Sequence, residues 1–520
     1  CDTTLTQPTR HDESTPAGSG PDKTDYEKAL GFLYDRIDYE RMTSGTSRYP
    51  FRLTRMRELL GRLELGHFTD QTPAADQPTN ADQPRNADQP PDADRASRPA
   101  VIHLAGTKGK GSTASMVAAA LTAAGLKTGL YTSPHLQQLE ERFRVDGQIC
   151  CPDELIALVD RVRPVDEALL AEGIGAGSFF ELTTALSLLH FHRSDCDAVV
   201  LETGLGGRLD STNVCWPDVT AITSIGLDHQ HVLGDTLAQI ATEKAGIIKP
   251  RVPVISGVRT DEPAEVIERI AAEKNSPLLK IGRDFTLDWH PDPVWGSEIT
   301  FQGKTHPLGK TLTAHVAMEG EHQARNAAMA IAIVQVLRDQ WLAGIRGNIK
   351  SGNIKSGDIT DAAITDALAS LRCNGRIQRY QLPKGTTGII DAAHNEDSIA
   401  ALCQMLKRRA TVGPVAIVFG TSIDKSSGPM LELFADLAKY IDLKRIQITR
   451  FKGNPRWRPT GELMAQMPDV LRPIALVDDD PIKSCQAGLQ TVTPGGTLIV
   501  CGSFFMAAET ASWMESVARD

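Results

Sequence analysis

Val101-Ile102-His103-Leu104-Ala105-Gly106-Thr107-Lys108-Gly109-Lys110-Gly111-Ser112-Thr113 is the stretch on which the reading of this chain turns. An apolar run enters a glycine-rich turn, and a helix-like segment then runs from Ser112 to Ala124 and stops at Gly125. Strand, glycine loop, lysine, hydroxyl and helix together are the layout of a phosphate-binding loop. Glycines let the backbone wrap closely around a polyphosphate, and the helix N-terminus directs amide hydrogens at it. Lys110 would reach the outer phosphates, with the hydroxyls of Ser112 or Thr113 near a metal. The plainer alternative, a strand-to-helix turn with solvated lysines, leaves three glycines and two lysines within six residues unexplained.

The remaining chain fits around such a loop. With 520 residues it has room for two or three domains. A hydrophobic fraction of 41% and a charged fraction of 23% are those of a soluble globular protein. The net charge of -10 and the lack of a long basic stripe argue against a nucleic-acid partner. Nine cysteines are scattered, several of them inside apolar runs (Cys196, Cys215, Cys501), with no zinc-type spacing. A reducing cytoplasm is the expected setting. The adjacent Cys150 and Cys151 read as a strand end rather than a bridge. No apolar stretch is long enough to span a membrane, and the polar N-terminus is no secretory signal. Because Cys1 replaces the usual Met, the natural start is expected upstream or trimmed.

Residues 1–22 read as disordered, and Tyr26–Leu65 as helices with Leu30, Leu33 and Ile37 on one face. Low-complexity inserts are expected at 72–99, with its repeated Ala-Asp-Gln-Pro, and at 344–358. From Ala100 onward, buried strand-like runs alternate with helical ones, the pattern of a mainly parallel sheet. Strands are expected at Val101–Leu104, Thr128–Thr132, Ala198–Glu202, Val219–Ser224 and Val252–Gly257, with an antiparallel patch over Leu278–Leu312. Beyond Arg372 a fresh series begins with Gly388–Ala392 and ends with Thr497–Cys501. The expected fold is therefore α/β. A phosphate-loop-type, mainly parallel sheet domain spans 23–372, and a smaller Rossmann-like domain spans 373–520.

Further polar clusters follow strand ends, the edge where open parallel sheets bind ligands. They are Ser133-Pro134-His135, Glu202-Thr203-Gly204-Leu205-Gly206-Gly207-Arg208-Leu209-Asp210-Ser211, Asp228-His229, and Lys244 within Glu243-Lys244-Ala245-Gly246. A carboxylate such as Glu202 closing an apolar strand is costly unless it meets a cation, and magnesium prefers hard oxygen ligands. Lys244, on a helix among small apolar neighbours, either snorkels to solvent or has a partner.

The loop, Ser133-Pro134-His135-Leu136, the Glu202–Asp210 run and Glu243-Lys244-Ala245-Gly246-Ile247-Ile248-Lys249-Pro250 occur in an order that resembles folylpolyglutamate synthases, which include bifunctional dihydrofolate synthases. The likeness runs from about Tyr26 to Ala508 outside the inserts, and more distantly extends to the Mur peptidoglycan ligases. It implies a monomeric cytoplasmic ligase that joins L-glutamate to folate, or to dihydropteroate, through an acyl phosphate, with ATP as substrate and Mg2+ as cofactor. By the same resemblance Gly106, Thr107, Lys108, Gly109, Lys110, Gly111 and Ser112 would hold ATP, together with Asn326, Arg376 and Asp391. Ser133, Glu202, His229 and a carbamylated Lys244 would hold magnesium. Lys110, Lys244 and His394 would serve the reaction, and Ser178, Phe179, Phe180, Glu181, Leu209, Asp210 and Ser211 the pterin. Three positions depart from the family pattern: Lys108 for an Asn, Ala392 for a Gly, and Ile377-Gln378 where an acidic residue is common. A Mur-type ligase would carry a separate N-terminal domain, whereas the short stretch before the loop reads as helices. A binding-only regulator would need the loop but not Glu202, His229, Lys244 and Asp391.

Overall fold

The computed structural model describes residues 23–36, 53–69, 98–342, 359–409 and 413–519. The expected disordered N-terminus and both low-complexity inserts lie outside these residues, apart from Arg98 and Pro99. The strands are β1 (Ala100–Ala105), β2 (Thr128–Tyr131), β3 (Phe143–Val145), β4 (Gln148–Ile149), β5 (Ala198–Glu202), β6 (Val219–Ile222), β7 (Val254–Ser256) and β8 (Leu278–Lys280). They form one sheet in the order β4-β3-β2-β5-β1-β6-β7-β8. Pairing is parallel from β2 to β8, while β3 and β4 make an antiparallel edge. The continuous apolar runs of β1 and β5 are buried throughout, as expected of strands covered on both faces.

One face carries the helices Lys110–Ala123 and Glu321–Leu342, and the other carries Pro152–Ala171 and Phe179–Arg193 with the N-terminal helices Lys23–Tyr34 and Leu53–Arg62. Helix Lys110–Ala123 begins two residues earlier than its apolar pattern suggests. It ends where Gly125 takes φ +87° and the Leu126 amide bonds back to the Leu121 carbonyl. Leu278–Lys280 was expected in the antiparallel patch but pairs in parallel with β7, so the patch starts later. It comprises β9 (Phe285–Pro291), β10 (Ser297–Gly303) and β11 (Thr311–Val316) in the order β11-β10-β9.

The second sheet consists of β12 (Gln378–Leu382), β13 (Thr386–Ile390), β14 (Val415–Phe419), β15 (Leu443–Ile448), β16 (Ala475–Val477) and β17 (Thr497–Cys501). Its order is β12-β13-β17-β14-β15-β16, with only β12 antiparallel. No disulfide forms among the described cysteines. No helix among the described residues is long and apolar enough to cross a membrane.

A clasp joins the two sheet domains at the β9–β10 turn. Trp295 leaves that turn and packs against the core of the second domain, where Arg379 and Arg409 cover its ring at 4.2 and 4.5 Å. The Arg409 guanidinium also meets Glu319 at 2.7 Å and donates to the carbonyls of Asp292, Val294 and Gly296. Both ionic partners are buried, so losing one strands the other in low dielectric. Arg409→Ala is expected to cost about 3–5 kcal/mol, read as a lowered urea midpoint followed by Trp fluorescence. Arg408→Ala, on a far more exposed guanidinium nearby, should cost under about 1 kcal/mol. Equal losses for the two variants would remove the clasp from the stability of the domain pair.

Candidate active site

β1 lies at the centre of its sheet and hands the chain directly into the glycine loop. Gly106 has φ +153°, and a side chain there would overlap the Thr223 hydroxyl. Gly109 is left-handed at φ +84°, and a side chain there would overlap the amide oxygen of Asn326. These positions admit only glycine for steric as well as conformational reasons. The loop is braced from the end of β6: Thr223 Oγ1 donates to the Lys108 carbonyl at 2.7 Å, and Ser224 Oγ accepts the Lys108 amide at 2.9 Å. Thr107 Oγ1 accepts from the Gly226 amide. No side chain caps the fourteen-residue helix that follows, so its first amides face the loop as an anion site. Thr113 and Ser112 are both buried in the first turn of this helix.

Two lysines converge here. Lys110 Nζ and Lys244 Nζ donate to the same carbonyl, that of Gly106, at 3.0 and 3.1 Å. Glu202, level with Leu104 in the β1–β5 register, lies 4.0 Å from Lys110 Nζ and accepts the Ser133 amide at 3.1 Å. It is 4% exposed, and so is Lys244, which rules out a snorkelling lysine. Burial, reinforced by Lys110, pushes the Lys244 amine down to about 7, with Asp228 and Asp210 only partly offsetting. His229 is left-handed at φ +49° and its side chain is half exposed. Desolvation lowers its pKa; Asp228 opposes the shift, and Lys425, Lys110 and Lys244 add to it. The Glu202 carboxylate and the Ser133 hydroxyl on this sheet edge are the hard oxygens that magnesium prefers, and the His229 imidazole adds a nitrogen that suits it less well. Triplets of His, Cys, Asp or Glu already within 4.8 Å of one another occur, among the described residues, only outside this cleft.

The second domain faces the loop with Arg376, Asp391 and His394. Asp391 follows β13, accepts the amides of Ile377 and Ala393 at 2.8 Å each, and so shapes the turn that presents Arg376. Burial raises its pKa against the pull of Arg376 and those two amides. The Arg376 guanidinium stacks on Phe504 at 5.1 Å. His394 Nδ1 lies 2.8 Å from the Ala392 carbonyl, which can only accept, so that nitrogen carries the proton and Nε2 keeps its lone pair. Burial, together with Lys425 and Arg376, pushes this imidazole down to about 4.

Lys108 does more than add charge to the loop: its Nζ crosses to the second domain, 2.6 Å from Asp397 and 3.3 Å from Asn395. Asn326 is buried, with its amide bonded to Gln323 at 3.0 Å. His322, one turn before Asn326 on the same helix, is a cleft residue that sequence reading passed over. Desolvation and the charges of Arg376, Arg325 and Lys108 push it down to about 4. Its four-residue spacing from Asn326, which places both on one helix face, was the available signal.

The residues expected to meet a pterin divide by environment. Ser178 and Glu181 form a capping box that starts helix Phe179–Arg193, and Arg55 binds Glu181 at 2.5 Å. Phe179 is core, stacked on Tyr34 at 5.6 Å and covered by Arg142. Phe180 instead lies half-buried against Gly204 and near Tyr131. Asp210 accepts the amides of Gly204, Leu205 and Thr212 and so folds the glycine-rich turn. Burial nevertheless raises its pKa. Ser211 is buried against Thr184, and Leu209 is half-buried.

Comparison with known proteins gives the family and the fold. Residues 167–334 match the Mur ligase middle domain, and residues 375–504 match the Mur ligase glutamate ligase domain. The dihydrofolate synthase/folylpolyglutamate synthase of Bacillus subtilis is 32% identical over 67% of this chain and 77% of its own length. The folylpolyglutamate synthase of Lacticaseibacillus casei is 30% identical over 78% of this chain and 88% of its own. The Mycobacterium tuberculosis folylpolyglutamate synthase complexed with ADP superposes with a TM-score of 0.74 at 25% identity, covering 94% of this chain and 98% of that one. With two thirds of the sequence and both sheet domains accounted for in this way, the chain belongs to the folylpolyglutamate synthase/dihydrofolate synthase family of ATP-dependent ligases.

Proposed function

We propose that the protein adds L-glutamate to the carboxylate of a folate, using ATP, and that dihydropteroate is a second acceptor. The convergence of Lys110 and Lys244 on one loop carbonyl, beside buried Glu202, carries this reading. Such a cation-rich edge suits a triphosphate, and the second domain supplies Arg376 and a neutral histidine opposite it. The relatives over most of the chain are folate synthases, which leaves the peptidoglycan-ligase alternative with less behind it.

In the first step a carboxylate oxygen of the acceptor attacks the γ-phosphorus and the bond to ADP breaks. The loop amides, Lys110 and Arg376 offset the charge on the transferring group. Asp391 shapes the turn that presents Arg376, and Asn326 lies against Gly109 of the loop, where both would meet the nucleotide. In the second step the glutamate amine attacks the carbonyl carbon of the acyl phosphate and phosphate leaves. Nε2 of His394 accepts the amine proton, which a histidine already protonated on both nitrogens could not do. Ser133, Glu202, His229 and carbamylated Lys244 would hold magnesium, which supplies charge neutralisation between phosphates and acceptor. Phe180, with Leu209 beside it, offers the apolar face for the pterin. Contact between the domains excludes water that would hydrolyse the acyl phosphate.

ADP release with Mg-ATP and L-glutamate tests the function. Turnover is expected with tetrahydrofolate and with dihydropteroate, and none without acceptor; silence with both pterins would overturn the proposal. Lys110→Ala should lower kcat/KM by about 10²- to 10³-fold, the scale for removing a donor to developing charge. Unchanged kinetics would remove Lys110 from phosphate contact. Carbamylation needs the unprotonated amine, and the Lys244 amine is largely neutral only above about 7. With ¹³C-bicarbonate, one carbamate carbon signal should therefore grow as pH rises through 7 and be absent in Lys244→Arg. Its persistence in that variant would assign the adduct elsewhere.

A further inference from the structure

A second polar cluster lies on the far side of the large sheet, away from the cleft. Cys150 follows β4, Glu154 sits in the first turn of helix Pro152–Ala171, and His190 comes from the last turns of helix Phe179–Arg193. The Cys150 sulfur, a Glu154 carboxylate oxygen and a His190 ring nitrogen all lie within 4.8 Å of one another. His190 Nδ1 is 3.0 Å from Glu154 Oε1. Cys150 and His190 are 3% and 4% exposed, whereas the Glu154 side chain is one-third exposed and opens the cluster to solvent. The rings of Phe143 and Phe191, each about 6 Å from His190, hold the imidazole in place.

We propose that Cys150, Glu154 and His190 bind a thiophilic divalent cation of the zinc class, with water as the fourth ligand. The donor set decides the class. Thiolate, imidazole and carboxylate suit zinc, whereas magnesium avoids sulfur and demands oxygen. Ligand atoms around a tetrahedral zinc, at about 2.0–2.3 Å from the metal, are separated by roughly 3.3–3.8 Å, a spacing this cluster reaches by small side-chain rotations. The thiol proton leaves to solvent as the sulfur binds, the Nδ1 proton passes to Nε2, and the freed Nδ1 lone pair and Glu154 oxygen each bond the metal. A further carboxylate adds favourable charge: Glu140 acts on Cys150, and its buried Oε2 has no hydrogen-bond partner. Its other oxygen accepts from Tyr26 at 2.6 Å, which holds it in place. The other such triplet, Asp292, Glu298 and His315, lacks a sulfur and is more open to water.

The bound ion would join a strand end to two helices, one of which begins at Ser178–Glu181 beside the cleft. Cobalt(II) titrated into the full-length protein in excess Mg2+ is the direct probe. One equivalent should produce a thiolate-to-cobalt charge-transfer band that zinc displaces. Cys150→Ser should abolish the band and weaken zinc binding at least about tenfold, and Glu154→Gln should weaken it too. Cys151→Ser should change neither, with circular dichroism verifying that each variant is folded. Absence of the band in the unmodified protein, or its survival in Cys150→Ser, would overturn the proposal. Neither reading depends on turnover, so the result stands apart from the glutamate-ligase assignment.

Discussion

Two ammonium groups share one carbonyl oxygen, and the rest of the cleft is arranged around that fact. Lys110 and Lys244 both donate to Gly106, with Lys110 4.0 Å from the nearest carboxylate oxygen, that of Glu202. Two like charges so close, largely out of water, are tolerable only if one loses its proton or an anion arrives. The fold obtains the convergence from register: Leu104 pairs with Glu202, so the carboxylate ends its strand level with the start of the loop. β6 then contributes Thr223 and Ser224, which hold the loop open from the other side. The site is thus a property of three adjacent parallel strands, and the glycines are what let the backbone pass between them.

The two domains meet in two chemically different ways. At the back, Arg409 is buried against Glu319, four carbonyls and Trp295, a set of partners that cannot exchange for water without a large penalty. At the mouth of the cleft, Lys108 meets Asp397 in the open, where water and salt compete. A fixed joint at one end and a labile contact at the other suit a cleft that must admit three substrates and then exclude water. Desolvation and the neighbouring cations lower the pKa of histidines 322 and 394, which limits the positive charge they add to this mouth.

Much of this was legible because local sequence signals and strand ends coincide. Apolar runs of four to six residues located β1, β2, β5, β6 and β17, and the polar groups just after them marked the ligand edge. Three short segments at or near sheet edges were not legible. Gln378–Leu382 and the β3–β4 hairpin over Phe143–Ile149 carry mixed side chains, β12 and β4 each being paired on one side only, and Leu278–Lys280 is too short to declare its partner. Among the candidate residues, motif membership could not separate Phe179 from Phe180. Adjacent helix positions point in different directions, one into the core and one towards Gly204. Nor could spacing reveal the Cys150–Glu154–His190 cluster or the Arg409 clasp, each assembled from segments that only tertiary packing brings together.

Lys108 gives the loop a second allegiance. The glycine loop also extends an ammonium to the neighbouring domain, where Asp397 and Asn395 hold it. Any anion that settles on the loop therefore bids for a charge already engaged in keeping the mouth together. Occupancy and aperture draw on one cation, and the background electrolyte acts on both at once. Because the Lys108–Asp397 contact is exposed, added salt weakens it, and the same ammonium is then freer to meet an anion on the loop.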